Sequence, residues 1–409
     1  MGFERRTRRR FRRGGLYLAV LSTSVAVALL GMTALALVRV DRTATHAAAD
    51  FIAARLKAES AVEMALMAAA NDANWKTTLT SWPKTVDLGS GSMWLSVSHP
   101  EGAGEELPAL LTGYGYRGDA RFLTSVLLQP SFEPMEVLRS TLHTGLSAWV
   151  LLGRTGTFTG GPFSCNGTLT NNGSIVGNVE ALLYAGLPPS GTLTLLAAQK
   201  PLPSASVIDT YASGATTLPY SSNFERLVVT PLYTPWGNPN SSGRYLIDTG
   251  GQDMTIRGCR FEGTLIVRAT NRQVRITDAV LMTRVHESQP VLLVDGSIAI
   301  EITSSTPLRE TTWSTNFNPH GAPYGGQSDT DMSDSYENVI RGLVFATGSV
   351  TFSQAPRVEG VVISRLGSTI FGNPTIVHLP EYYNNPPEGF RKAGPPRVVP
   401  AGWRRELIP

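Results

Sequence analysis

An acidic segment contains the residues whose types and spacing come nearest to a ligand set for a metal ion. The segment "QSDTDMSDSYE", residues 327–337, places Asp329, Asp331 and Asp334 close together. Carboxylate oxygens are among the ligands that Ca²⁺ prefers in proteins. The segment lacks the central Gly and the terminal Glu of an EF-hand loop, however. The pattern therefore favours a solvated acidic loop, and we assign no metal site.

Residues that could perform acid–base or nucleophilic catalysis are scattered along the chain. The six histidines occur singly, and the sequence has no HExxH pair and no GxSxG elbow. Asp278, Arg275, Arg284 and His286 are close enough in sequence to share one face of a β structure. The same residue types are expected on any solvated surface, and a fold alone implies no activity. The sequence therefore predicts a protein that is not an enzyme, without catalytic residues, cofactor or metal.

The segment "GYGYRG", residues 113–118, matches the GxGxxG pattern of dinucleotide-binding proteins. That pattern needs a following helix, because the helix N-terminus binds the pyrophosphate. Here the following residues, "RFLTSVLL", alternate like a strand. We therefore interpret the segment as a glycine-rich hairpin turn.

The chain has two cysteines, Cys165 and Cys259, which are far apart in sequence and have no metal-ligand spacing. An oxidising compartment would allow a disulfide between them. Two free, buried thiols agree with the sequence equally well. Both alternatives stay open at this point.

The N-terminal segment combines a basic leader with a long uncharged run. Seven arginines lie between Arg5 and Arg13, and the 25 residues from Gly14 to Val38 carry no charge. A helix of this length spans about 37 Å, which exceeds a hydrocarbon core of about 30 Å. The run is too long for an ordinary signal peptide, although small-residue sites at 34–36 and 47–49 keep cleavage as an alternative. Since basic residues stay in the cytoplasm, we predict a single-pass protein of the cytoplasmic (inner) membrane with an exported C-terminal domain.

The composition agrees with an exported, β-rich domain. Charged residues make up only 16% of the chain, and 40 of its 409 residues are Gly. The net charge of +3 is smaller than the contribution of the seven leader arginines, so the rest of the chain is near neutral or slightly acidic. The sequence therefore predicts no nucleic-acid partner.

The residues after the apolar run predict a continued helix and then β structure. No proline occurs before Pro83, and residues 39–70 are rich in Ala, Leu, Met, Glu and Lys, so the helix can continue. The segments "SMWLSVS" (92–98) and "RFLTSVLLQP" (121–130) alternate like the strands of a small antiparallel sheet. The tail from Leu379 is rich in proline and lacks a period, which indicates an extended strap or a disordered end.

Short apolar segments recur in the C-terminal half of the chain. Residues 254–256 and 274–276 are 20 positions apart, and residues 298–300 follow 24 positions later. This spacing predicts the rungs of a right-handed parallel β-helix, with a β-sandwich as the alternative. The residues expected to fill its interior are Ile256, Leu265, Val267, Val274, Ile276, Ile298 and Ile300.

About the first 135 residues resemble the type IV pilin and pseudopilin superfamily. The arginine-rich leader ending in Gly, the apolar helix, the segment "AESAVEMAL" (58–66) and the following β-meander carry the resemblance. It is nearest to minor pilins with a PilX-type N-terminus and to the tip minor pseudopilin of type II secretion. The resemblance implies that a prepilin peptidase cuts after Gly15, so that Leu16 becomes the N-terminus.

The chain departs from the family pattern at Val20. Major pilins carry Glu at this fifth mature position, and a buried Glu in lipid is tolerated because it pairs with the N-terminus of a neighbouring subunit. The resemblance therefore implies an accessory subunit or a plain anchor and argues against a self-polymerising major subunit.

The predicted fold class is mainly β with one long N-terminal transmembrane α-helix. The predicted function is that of a membrane-anchored, non-enzymatic structural or interaction protein in an envelope, secretion or adhesion assembly. Its expected partners are the membrane, other pilin-like subunits and, as a further option, a glycan. The alternative is an anchored carbohydrate-active β-helix enzyme or a glycan-binding module.

The predicted order of segments along the chain is a basic cytoplasmic leader (1–14), a transmembrane helix (15–38), a helix continuation (39–75), a pilin-like β-meander (76–145), a β-solenoid (146–378) and a Pro-rich tail (379–409).

Overall fold

A computed structural model describes residues 8–72, 74–81, 85–87, 91–100, 107–150 and 156–407. The chain divides into two compact units, one formed by Met1–Ser131 with Ala393–Pro409 and the other by Phe132–Lys392. The predicted fold class is confirmed, because the structure is mainly β with one long N-terminal helix, a small antiparallel sheet and a large parallel sheet.

The helices and strands of the described residues have the following bounds. The helices are α1 (Arg8–Asn71), α2 (Trp75–Thr80), α3 (Val207–Ala212), α4 (Glu310–Trp313) and α5 (Glu381–Asn384), and a 3₁₀ helix spans Glu136–Arg139. The strands are β1 (Thr85–Asp87), β2 (Ser92–Ser98), β3 (Ala109–Arg117), β4 (Ala120–Pro134), β5 (Leu142–Thr144), β6 (Ser147–Val150), β7 (Thr157–Gly160), β8 (Phe163–Asn171), β9 (Ser174–Val176), β10 (Val179–Gly186), β11 (Leu193–Leu195), β12 (Thr216–Thr217) and β13 (Asn223–Val229). They continue with β14 (Arg244–Asp248), β15 (Met254–Glu262), β16 (Thr264–Asp278), β17 (Val280–Thr283), β18 (Pro290–Ile302), β19 (Leu308–Arg309), β20 (Ser335–Tyr336), β21 (Val339–Ala346), β22 (Val350–Phe352), β23 (Arg357–Ser364), β24 (Gly367–Ile370), β25 (Thr375–Val377) and β26 (Arg391–Leu407).

Helix α1 runs without a break through the predicted membrane span and most of the predicted continuation, and it ends at Asn71 rather than at residue 75. Its 64 residues contain no proline and are rich in Ala and Leu, which favours one uninterrupted helix. The C-terminal part buries a stripe of small side chains that packs on the antiparallel sheet. The stripe consists of Ala54, Ala58, Ala61, Val62, Ala65 and Ala69.

The antiparallel sheet has the strand order β1-β2-β3-β4-β26. The two segments predicted to alternate lie in β2 and β4, so the predicted strands are confirmed. The interpretation of "GYGYRG" as a turn was wrong for most of its residues, because Gly113 and Gly115 lie inside β3. Only Gly118, in the left-handed conformation at φ 55°, belongs to the turn into β4.

Gly113 and Gly115 allow β3 to approach the backbone of α1. A Cβ atom added to Gly115 would lie 1.8 Å from the carbonyl oxygen of Ala54. A Cβ added to Gly113 would lie 2.4 Å from the carbonyl oxygen of Ala58. No side chain fits at these distances, so the two glycines and the facing alanines set the separation of helix and sheet.

We expect the substitution Gly115→Ala to destabilise the antiparallel unit. The added methyl group must displace the Ala54 carbonyl, and overpacking of this kind costs about 2 kcal/mol or more of the free energy of unfolding. Chemical denaturation of the full chain in detergent micelles measures the change. The control is Gly31→Ala, because a Cβ at Gly31 meets nothing within 4 Å. Equal stabilities of the two variants would contradict the close approach.

The larger unit is a solenoid built from one 19-stranded sheet of parallel pairs. Each turn of the solenoid, here called a rung, contains three short strand segments. Each segment pairs in parallel with the corresponding segments of the neighbouring rungs, so the pairs form three parallel stacks of strands that we call ladders 1, 2 and 3. Ladder 1 includes residues 265–268, 292–295, 343–346 and 361–364. Ladder 2 includes residues 259–262, 280–283 and 339–341, and ladder 3 includes residues 274–278, 297–302 and 350–352.

The predicted register of the solenoid is confirmed. Val274 pairs with Met254 on one side and with Ile298 on the other, at the predicted spacings of 20 and 24 residues. The predicted interior residues Ile256, Leu265, Val267, Val274, Ile276, Ile298 and Ile300 all lie in one buried apolar core. The parallel pairing shows that the β-sandwich alternative was wrong, since the two sheets of a sandwich are antiparallel.

The rungs do not stack in chain order. β5 pairs with β8 on one side and with β23 on the other, and β7 pairs with β9 and β25. β6 lies between β8 and β24 in the same way. The rung that comes first in the sequence therefore lies between the second rung and the last.

Two outer faces of the solenoid are covered by segments that leave its rungs. The 3₁₀ helix, α3 and α5 contribute to an apolar layer over ladder 1, which includes Tyr211, Leu293, Phe345 and Tyr382. Residues 303–338, here called the insertion, lie between β18 and β21 and pack on ladder 2.

Arg260 fastens the insertion to ladder 2. Its side chain is fully buried, and its Nη1 donates hydrogen bonds to the carbonyl oxygens of Phe317 (2.6 Å) and Ala322 (2.7 Å). Its Nη2 donates to the carbonyl oxygen of Pro323 at 2.7 Å and to the carboxylate of Glu262. Hydrogen bonds from a charged group are stronger than those between neutral groups, so these four partners fix the Arg260 side chain against residues 317–323.

We expect Arg260→Met to loosen the insertion. The substitution leaves the buried carbonyl groups of Phe317 and Ala322, and the carbonyl of the exposed Pro323, without this donor. It should lower the free energy of unfolding by about 3 kcal/mol. Thermal unfolding and limited proteolysis within residues 303–338 report the effect. The matched control is Arg257→Met, because Arg257 is 38% exposed and pairs with Glu225 at the surface. A surface pair contributes at most about 1 kcal/mol, so similar losses in both variants would contradict the fastening role.

The structure places two domain boundaries differently from the predicted ones. β5 already pairs in the parallel sheet, so the solenoid begins before residue 146 and its unit extends over Phe132–Lys392. Residues 391–407 of the predicted Pro-rich tail form β26, which neighbours β4 in the antiparallel sheet. The first seven residues of the predicted basic leader lie outside the described residues.

Candidate functional site

The N-terminal half of α1 is an exposed apolar surface. The helix is long and apolar enough to cross a membrane, and its most apolar window is not buried within the protein. The exposed side chains include Leu16, Leu30 and Leu37. The hydroxyl groups of Thr23 and Ser24 donate to backbone carbonyls one turn earlier in the helix. These polar groups are therefore satisfied within the helix, as the interior of a bilayer requires.

A groove of about 620 Å³ lies at one corner of the solenoid. At this corner the chain turns from ladder 3 into ladder 2, and Gly258, Asp278 and Gln354 make the turn in the left-handed conformation. The insertion leaves the solenoid at the same corner, after β18. The groove is lined by Asp278, Ala279, Glu301 and Gln354 from the corner and by Thr303, Ser305, Thr306, Pro307, Arg309, Thr312 and Trp313 from the insertion.

The charged groups of the groove balance one another. Glu301 accepts a hydrogen bond from Arg275 at 2.7 Å. The carboxylate of Asp278 accepts one from the hydroxyl of Thr277 at 3.1 Å. Neither Asp278 nor Arg309 makes an ion pair with another residue that the structure describes. The groove thus offers one carboxylate, Asp278, and one guanidinium, Arg309, that have no ion-pair partner among the described residues, beside the paired Arg275 and Glu301.

The Trp313 ring occupies space that is open because residue 258 is a glycine. A Cβ added to Gly258, whose φ is 54°, would lie 2.3 Å from two carbon atoms of the Trp313 ring. The ring therefore rests directly on the backbone of β15 and remains partly exposed where it lines the groove. An aromatic ring in this position is a fixed apolar surface among polar groups.

The structure does not bring the four residues considered for catalysis into one site. Arg275 and Asp278 lie at or beside the groove. Arg284 instead pairs with Glu381 at 2.5 Å, and its guanidinium lies 4.8 Å from the ring centre of Tyr382. His286 lies in the connection between β17 and β18.

The acidic segment at 327–337 is a hydrogen-bonded loop of the insertion. Asn318 donates its amide to Asp334 at 2.9 Å and to Asp329 at 3.3 Å. The hydroxyl and backbone N–H of Ser333 both donate to Asp331, and these hydrogen bonds lower the pKa of the Asp331 carboxyl. Among the described residues, no three His, Cys, Asp or Glu side chains form a group that could hold a metal ion.

Cys165 and Cys259 are both buried and free. Of the two alternatives left open by the sequence, a disulfide or two free thiols, the structure therefore has two free thiols. Cys165 lies in β8 and Cys259 in β15. Burial raises the pKa of both thiols and raises that of Cys259 to about 12. Neither is in the thiolate form that reacts with electrophiles near neutral pH.

We expect the native protein to react slowly with a thiol reagent at pH 8, because both thiols are buried and protonated. Denaturation without a reductant should release two reactive thiols per chain. Ellman's reagent measures both numbers. Absence of reactive thiols in the denatured, unreduced protein would show a disulfide and contradict the structure.

Sequence reasoning missed Trp313, Arg309 and Gln354. Gln354 lies at a corner, and the other two belong to the insertion, so none of them follows the apolar period of the rungs. One signal was available: the distance from "IAIEIT" to "ENVIRG" is much longer than one solenoid turn. A long interruption in a repeat often carries a binding site.

No family model and no curated protein sequence matches the chain. Among solved structures, the chain is similar to the competence-associated pilin ComZ from Thermus thermophilus, with 11% identity and a TM-score of 0.29, over 88% of this chain and 98% of that one. It is also similar to the DUF3494 domain of ice-binding protein 1 from Shewanella frigidimarina, with 13% identity and a TM-score of 0.28, over 61% of this chain and 98% of that one. TM-scores of this size do not establish a shared fold, so the function must be argued from the residues of this chain.

Proposed function

We propose that the protein is a membrane-anchored, pilin-like structural subunit that carries a parallel β-solenoid outside the cytoplasm. The N-terminal arginines stay in the cytoplasm, α1 crosses the inner membrane, and the protein acts by assembly rather than by catalysis. Its partners are the membrane and other pilin-like subunits of an envelope, secretion or adhesion assembly.

The observation that carries the proposal is the division of α1 into two halves. The first half is uncharged from Gly14 to Val38 and exposed from Gly15 onward, which suits lipid or the apolar helices of neighbouring subunits. The second half packs its alanine stripe on the antiparallel sheet through the close approach at Gly113 and Gly115. One helix thus serves as both anchor and core element.

Val20 supports an accessory role within such an assembly. The side chain is exposed on α1 and apolar, so it adds no charge to the lipid phase. A subunit without a carboxylate here has no group to pair with the N-terminus of a neighbour. We therefore propose a minor subunit rather than one that polymerises by itself.

The identity of the mature N-terminus tests the proposal. We expect mass spectrometry of the native protein from the membrane fraction to find Leu16 as the first residue. The substitution Gly15→Val should block this cleavage, whereas Gly14→Ala at the neighbouring glycine should leave it intact. An unprocessed N-terminus in the membrane fraction would contradict the pilin-like role and leave only the role of a membrane anchor. A soluble protein that starts after Ala36 or Ala49 would overturn the membrane assignment.

A further inference from the structure

We propose that the groove between the solenoid corner and the insertion binds a neutral carbohydrate chain, with Trp313 as the platform for a sugar ring. This inference goes beyond the proposed function and does not depend on the membrane anchor. It rests on the shape of the groove, the position of the tryptophan and the balance of polar groups.

The groove has the size of an ordinary ligand site. Its volume of about 620 Å³ lies within the range of about 300–1,000 Å³ that is usual for small-molecule sites. It is bounded on one side by three successive rungs, which contribute Asp278, Glu301 and Gln354. Because these residues sit on paired strands or their turns, the floor of the groove is rigid.

Trp313 supplies the apolar surface that a sugar needs. The C–H groups on one face of a pyranose ring pack against the electron-rich face of an aromatic ring. Gly258 leaves space for the indole directly on the backbone of β15, which fixes the orientation of the ring before a ligand arrives. A preorganised platform avoids part of the entropic cost of binding.

The polar groups around Trp313 match sugar hydroxyls. Asp278 offers acceptors, Arg309 offers donors, and the amide of Gln354 offers both. Hydroxyl groups of Thr303, Ser305, Thr306 and Thr312 surround them. Each sugar hydroxyl both donates and accepts, so a mixed set of this kind can satisfy it.

The charge balance selects against strongly charged ligands. Arg275 neutralises Glu301, and the unpaired Asp278 and Arg309 have opposite charges. A phosphate or polyanion would meet Asp278, and a polycation would meet Arg309. A neutral oligosaccharide avoids both repulsions.

Binding of neutral oligosaccharides to the full chain tests the proposal. The protein is kept in a detergent without a sugar headgroup and titrated with soluble oligomers of glucose and of N-acetylglucosamine up to millimolar concentration. Calorimetry and tryptophan fluorescence report binding. We expect Trp313→Ala to weaken the binding about tenfold, which corresponds to about 1.4 kcal/mol.

Matched variants separate the groove from other surfaces. Trp149→Ala and Trp236→Ala remove tryptophans that are 49% and 40% exposed elsewhere on the same unit, and we expect less than a twofold effect from either. Gly258→Ala keeps the tryptophan but displaces its ring, so it should weaken binding as much as Trp313→Ala. Asp278→Asn changes an exposed side chain and should weaken binding without changing the unfolding temperature.

The outcomes distinguish this inference from the proposed function. Absence of binding to every neutral oligomer, equal losses in the Trp149 and Trp313 variants, or tighter binding of a peptide or an acidic sugar would each overturn the inference. New reducing ends that disappear with Asp278→Asn would confirm the carbohydrate site and would overturn the non-enzymatic part of the proposed function. The mature N-terminus is unaffected by any of these results.

Discussion

Parallel pairing between neighbouring rungs is the interaction on which the solenoid depends. Because the pairs are in register, each rung must place apolar side chains at the same inward positions as the rungs above and below it. Val274 and Ile276 do so between Met254 and Ile256 on one side and Ile298 and Ile300 on the other. The inward positions of the strands are therefore restricted to apolar residues that pack in the core. Residue types and segment lengths can vary more freely at the corners and in the segments that leave the corners. Both the groove and the insertion lie at such a corner.

The antiparallel unit solves a different packing problem with small residues. The first half of α1 is exposed and apolar, and its second half buries alanines against a strand that contains Gly113 and Gly115. Close backbone approach of this kind gives extensive van der Waals contact without large side chains. The helix can therefore keep one simple composition from its exposed half to its buried half.

The sequence predicted the features that repeat and failed on the features that do not. The apolar run, the strands of the small sheet and the inward positions of the solenoid all follow a period or a length, and the structure confirms the sheet class and the register. The role of Gly113 and Gly115 was missed because it depends on a helix that is distant in sequence. Trp313 and Arg260 were missed for the same reason. Their positions are set by contacts with Gly258 and with residues 317–323, which no local sequence pattern records.

The position of the first rung between the second rung and the last has a consequence for the order in which the chain folds. The hydroxyl groups of Thr144 and Ser368 form a hydrogen bond across 224 positions of sequence. A chain that emerges N-terminus first must therefore hold β5, β6 and β7 with one edge open until β23, β24 and β25 have followed. Such long-range pairing is slow and leaves strand edges exposed to aggregation. Folding of the solenoid can therefore be complete only after β25 has been synthesised, and a chain that stops before β23 leaves the first rung without one of its two neighbours.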